Sequence, residues 1–114
     1  MRTISHKVLK FRAGDIASPN HPANYSRNIK RTDTIQVEQG QAVILDFTAF
    51  DIASPDFLKI TDGDGSKLLD NTHGSSLPQR VTSRSNVMDI YFTSDSAVEK
   101  TGWSANWHVA PQGL

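Results

Sequence analysis

The chain has 114 residues, 37% of them hydrophobic and 21% charged, with 12 basic side chains against 12 acidic and no cysteine. A chain of this length buries roughly two thirds of the surface it exposes unfolded, enough for one core and too little for two lobes around a deep cleft. Charge neutrality removes the Lys and Arg surplus that phosphate binding rests on, so no nucleic-acid partner is expected, and the lack of cysteine excludes disulfides, a thiolate nucleophile and Cys-ligated zinc.

No stretch approaches the roughly 20 apolar residues of a membrane helix, so no membrane span is expected. Met1 to Lys7 have no apolar core of a secretory signal, which leaves a cytoplasmic protein or a domain of a longer secreted chain. Charge is uneven along the chain. Up to Arg31 there are seven bases and one acid, Asp15, whereas Asp46, Asp51, Asp56, Asp62, Asp64 and Asp70 crowd a stretch holding only Lys59 and Lys67. That acidic stretch is where a hard cation or a basic partner would be sought, although Asp also populates turns between strands.

The predicted elements are all strands and turns. In Ser18-Pro19-Asn20-His21-Pro22, two prolines remove ladder donors, which places the segment in a loop or at a sheet edge. Short strands are predicted at 34–37, 57–61, 67–69 and 80–83, and a longer one at 103–109. Over 41–50, Val43, Leu45, Phe47 and Ala49 recur at every second position, the period of a strand with one buried face, with Asp46 and Thr48 on the other. Over 86–94, Met88, Ile90 and Phe92 do the same. Asp62-Gly63-Asp64-Gly65 reads as a hairpin turn, because glycine accepts positive φ. Trp103 and Trp107, four apart, share one face of their strand, and core packing is the expected use of both. Many short strands with regular turns predict an all-β sandwich or barrel.

Chemistry for catalysis is missing. His6, His21, His73 and His108 show no metal-ligand spacing, and His73-Gly74-Ser75-Ser76 is not a nucleophile turn, so no enzyme activity is expected. Asn24-Tyr25-Ser26 is an N-glycosylation sequon that has meaning only in a eukaryotic secretory route.

Five segments in order resemble the CUB domain: Gly14 to Pro22, Phe47 to Ile52, Asp56 to Gly63, Ser85 to Asp95 and Gly102 to Trp107. The resemblance implies a jelly-roll β-sandwich of two antiparallel sheets spanning 9–109, with 1–8 as an N-terminal extension and 110–114 as a tail. It also implies a secreted or cell-surface recognition module within a larger multidomain protein. The family's cysteines are absent. One would fall at Arg31, with a Trp at Asp33, another near His73-Gly74, and its partner in the short loop before Asp56. Each such disulfide is worth about 2–4 kcal/mol, which packing must supply here.

The resemblance further implies calcium at one end of the sandwich, held by a Glu and two Asp with a Tyr orienting the Glu. The Tyr is Tyr25 and the aspartates are Asp56 and Asp95, but Ala53 stands at the Glu position, so the site is incomplete. Asp51 joins the set if its side chain turns outward. The expected partner is a protein offering Lys or Arg to these loops, with Tyr25 and Ser96 as partner-contacting candidates and calcium as a possible aid. The alternatives are a glycan held by exposed aromatics, or self-association through edge strands.

Overall fold

The computed structural model describes residues 3–9, 13–96 and 98–112, and for 3–9 the backbone alone. Nine strands make up this region: β1 (Thr3–Leu9), β2 (Ala13–Ala17), β3 (Ile29–Gln36), β4 (Gln41–Asp51), β5 (Phe57–Asp62), β6 (Lys67–Thr72), β7 (Val81–Thr82), β8 (Val87–Thr93) and β9 (Gly102–Pro111). They form a five-stranded sheet in the order β1-β3-β8-β5-β6 and a four-stranded sheet in the order β2-β9-β4-β7. The architecture is the expected jelly-roll sandwich. Every pairing is antiparallel except β1 on β3, which is parallel. Of the expected N-terminal extension and C-terminal tail, residues 1–2 and 113–114 lie outside the described residues, as does Ala97. Within the described part, Thr3–Leu9 pairs with β3, and Ala110 and Pro111 pair with Ala42 and Gln41.

Alternation places the core between the sheets. Met88, Ile90 and Phe92 of β8 are buried, as are Leu58 and Ile60 of β5 and Val43 and Leu45 of β4. The expected alternation of β4 fails at its far end. A register shift between Phe47 and Ala49 inserts a bulge at Thr48, after which Phe50 and Ile52, and not Ala49, point inward. A bulge reverses which face the following residues occupy, and only cross-strand pairing reveals it. Trp103 and Trp107 share the inner face of β9 and are both buried. The ring of Trp103 meets Phe92 and Phe47 edge-on, and Trp107 lies so close over Gly14 that a Cβ there would stand 3.1 Å from the indole nitrogen. Each fully buried aliphatic or aromatic side chain contributes about 1.5–3 kcal/mol.

Two polar contacts stand at or beside positions where the resemblance puts cysteines. Arg31 and Asp33 lie between Ile29 and Ile35 on the inner face of β3, and they pair at 2.9 Å, with Asp33 only 2% exposed. The same guanidinium donates to the Ala17 carbonyl of β2 in the opposite sheet and lies 5.9 Å from the centre of the Trp103 ring. It therefore ties the two sheets together. At the second place, Ile52 and Gly74 exchange both backbone hydrogen bonds, at 2.9 and 2.8 Å, joining the loop after β4 to the segment after β6.

At the far end of the sandwich, Asp62 closes the β5–β6 turn. Its carboxylate accepts from Gly63 N–H, Arg84 N–H, Ser85 N–H and the Ser85 hydroxyl, binding the hairpin to the loop before β8. Burial by itself raises the Asp62 pKa, but these bonds more than offset it, and the group is held below the ordinary carboxylate value. The outer edge at β6 carries Lys67 paired with Asp70 and an irregular register, features that discourage edge-to-edge pairing.

Two outcomes follow. Asp33→Ala leaves the part-buried Arg31 cation without its carboxylate and should cost up to about 3 kcal/mol in denaturant unfolding, whereas replacing both partners by apolar residues of similar volume should cost far less. Because the Asp62 pKa is depressed, its stabilisation is fully present above the unfolded value of about 3.9 and is lost as pH falls through the lower folded value. Unfolding measured between neutral pH and about pH 2 should therefore show a smaller acid loss in Asp62→Asn than in the parent.

Candidate functional site

Strands β2, β4 and β8 end, and β3, β5 and β9 begin, at one end of the sandwich, so residues 18–28, 52–56, 94–96 and 98–101 lie in neighbouring loops. Backbone bonds tie the first loop to the third. Tyr25 N–H donates to Lys100 O at 3.0 Å, and Asn28, whose φ of 58° lies in the left-handed region, donates to Asp95 O at 2.8 Å. Ser94 adds a side-chain clasp, accepting from Ile29 N–H at 2.9 Å and donating to Ser26 O at 2.8 Å. Ser18 and Trp103 are joined through backbone and hydroxyl, at 2.9 and 3.0 Å. This close approach requires Gly102. Its φ is +85°, and a Cβ would fall 1.9 Å from the Ser18 hydroxyl oxygen and press on the Tyr25 ring.

At the centre lies a closed polar network. Tyr25, 1% exposed, stands edge-on to Phe92 with ring centres 5.0 Å apart and sends its hydroxyl toward Asp56. That hydroxyl donates to Asp56 Oδ2 at 2.7 Å and accepts from Ala53 N–H at 3.0 Å. Asp56 Oδ1 accepts from Asp95 N–H at 2.9 Å, and Asp56 N–H donates to Ala53 O at 2.8 Å. Burial raises the Tyr25 pKa well above its ordinary value, opposed by the bond from Ala53 and reinforced by Asp56, so the phenol stays a proton donor across the physiological range. One buried carboxylate thus holds all three loops.

The residues singled out from sequence take different positions. Tyr25 and Asp56 are buried and act within the protein, Asp95 is half-buried at the rim, and Ser96 and Asn24 are exposed. Asp51 does not join Asp56, since the inward turn of Phe50 and Ile52 puts it on the outer face of its sheet. The acidic stretch of the sequence disperses in space. Asp46 pairs with Arg80 on the outside of the four-stranded sheet, Asp62 and Asp64 close the far turn, and Asp70 pairs with Lys67. Sequence reading did not single out three features of the rim: the Arg27–Glu99 ion pair at 2.6 Å, the Ser94 clasp, and Val98, which is 62% exposed. Only Val98 carried a signal, as a lone apolar residue in a polar loop.

The donor set fits calcium poorly. Ala53 offers no carboxylate, both oxygens of Asp56 already receive hydrogen bonds, and the Tyr25 hydroxyl is engaged on both sides. Among the described residues no three His, Asp or Glu side chains come together as a metal site. Tyr25→Phe keeps the ring but removes one donor to the buried Asp56 and the acceptor of Ala53 N–H. It should cost about 1.5–3 kcal/mol of unfolding free energy, read by chemical denaturation with the slope unchanged.

Comparison with known proteins agrees with this architecture. Rat cubilin is 35% identical over 108 residues, covering 90% of this chain and 3% of that protein. Among solved structures, the MASP-1 CUB2 domain bound to Ca2+ superposes with a TM-score of 0.82 at 31% identity, covering 90% of this chain and 96% of that one. The full extracellular region of zebrafish Gpr126/Adgrg6 matches at a TM-score of 0.78 and 25% identity, covering 91% of this chain and 14% of that one. The chain thus spans only a few per cent of the length of its curated relative. The family model for the CUB domain matches residues 5–107, and with the shared fold this places the chain in the CUB domain family.

Proposed function

We propose that this domain is a non-catalytic extracellular recognition module that docks a protein partner on the loop end of the sandwich, as one unit of a larger multidomain protein. The observation that carries this reading is the Asp56 network. It holds three loops in a fixed relation while Asp95, Ser96, Val98 and Lys100 stand at the surface or half-exposed. Preorganised loops lose little conformational entropy on binding, which is what a recognition surface requires. An extracellular setting is supported by the match to the extracellular region of Gpr126/Adgrg6, and a place within a long chain by the small fraction of cubilin covered.

The partner group best matched to this end is a Lys or Arg side chain. With Asp56 buried and Glu99 paired with Arg27, Asp95 beside exposed Ser96 is the acid at the rim that such a cation would meet, and a carboxylate there steers and orients it. The MASP-1 CUB2 neighbour is bound to Ca2+, but Ala53 stands where the acid would be needed here, so the reading involves carboxylates alone. A second reading has one observation in its favour. With both Trp rings in the core, Phe57 and Tyr91 form, among the described residues, an aromatic pair on the outer face of the five-stranded sheet, 6.1 Å apart with the Lys59 ammonium over the Tyr91 ring, and a sugar would stack on the pair if Lys59 swings aside.

Titration of the 15N-labelled chain with a lysine-rich peptide separates the two. The first reading predicts amide shifts confined to 54–56 and 95–100, weakening several-fold as the screening length falls from about 10 Å at 0.1 M salt toward 3 Å at 1 M. Shifts centred on Phe57, Lys59 and Tyr91 with a neutral oligosaccharide, insensitive to salt, would transfer the function to the sheet face.

A further inference from the structure

We infer that the loop end of this domain is metal-independent: the closed network around Asp56 does the ordering that a calcium ion would do for a complete carboxylate set. The inference concerns the same loops as the docking reading above, but it rests on their internal bonding and not on any partner.

A calcium ion takes six to eight oxygens, and its affinity rises with the number of charged ligands. The set implied by resemblance has three acids. Here the first is replaced by Ala53, a residue that is itself buried and whose N–H and C=O are both bonded, to the Tyr25 hydroxyl and to Asp56 N–H. The remaining central acid, Asp56, is 2% exposed, and each of its oxygens faces the positive end of a protein dipole: the Tyr25 O–H at 2.7 Å and the Asp95 N–H at 2.9 Å. Each oxygen keeps a second lone pair, but a cation drawing on either would sit beside a hydrogen already aimed at that oxygen, and displacing the donor would open a link to the first or third loop.

The surrounding oxygens are engaged as well. The Asp95 carbonyl accepts from Asn28 N–H at 2.8 Å, the Lys100 carbonyl accepts from Tyr25 N–H at 3.0 Å, and the Ser94 hydroxyl bridges Ile29 and Ser26. Asp51, the acid that would restore the third charge, lies on the outer face of β4. The tetrad of Tyr25, Ala53, Asp56 and Asp95 is therefore complete without an ion. A hydrogen-bonded buried carboxylate needs no counter-cation when its donors are fixed by the fold.

Thermal unfolding of the isolated chain tests this in buffer with chelator and in buffer with calcium. A site with a dissociation constant of about 1 mM, the weak end for extracellular modules, would raise Tm by roughly 4–8 °C at about 10 mM calcium. The inference predicts a shift below about 1 °C for the parent, and a calcium-dependent gain in Ala53→Glu, which restores the missing acid. Comparing Ala53→Glu with and without calcium separates metal binding from any loss of stability caused by the substitution itself. A rise of several degrees in the parent that disappears in Asp56→Asn would overturn the inference. Because no partner is present, that result would leave the docking reading standing, and a failure of peptide binding would leave this one standing.

Discussion

A carboxylate removed from water must find donors or give up its charge, and Asp56 finds them on two other loops. The requirement is local, but its effect is architectural. The chain leaves the sheets after β2, β4 and β8, at separations of some 30 to 40 residues, and nothing covalent returns these loops to one another. Their convergence depends on a phenol from the first and a backbone N–H from the third meeting one acid in the second. Around that point the spacing is fixed by sterics, since Gly102 alone lets Ser18 and the Tyr25 ring pack against the start of β9.

The same principle recurs at and beside positions where the family's cysteines would stand. Arg31 and Asp33 put a paired charge between the sheets, and the guanidinium reaches the opposite sheet at Ala17 while lying over Trp103. Such a pair is directional and sensitive to loss of either member, though its net contribution is limited by the cost of desolvating both ions. The Ile52–Gly74 bridge holds the second position by backbone bonds alone. Core packing carries most of the stability, and these contacts fix how the sheets and loops sit on that core.

Much of the fold was legible because alternation is a strong signal. Met88, Ile90 and Phe92 face the core as their spacing demands, and the Asp62–Gly65 turn forms where its glycines permit. Less legible were features decided by pairing between distant strands. The Thr48 bulge reverses β4 without any mark in its composition, and β2 is too short and mixed, Ala-Gly-Asp-Ile-Ala, to read as a strand until it is seen beside β9. β3 reaches back to Ile29 because Arg31 and Asp33, polar in sequence, satisfy one another inside the sandwich. At the loop end, Tyr25, Asp56 and Asp95 were identified by resemblance, but their relation to one another was not: sequence order does not show that Tyr25 serves Asp56, nor that Asp95 contributes its backbone N–H to the same carboxylate. The segment Asp15-Ile16-Ala17-Ser18-Pro19 recurs at Asp51-Ile52-Ala53-Ser54-Pro55, and both run off parallel-pointing strands of one sheet into this end.

Amide hydrogen exchange in chelator addresses the central claim directly, because it reads the two donors that close the loops. If the protein's own network holds that end, the Ala53 and Asp95 amides will be protected to within about tenfold of a core amide such as Phe92. Exchange of both at the rate of an unstructured chain, with Phe92 still protected, would contradict the account.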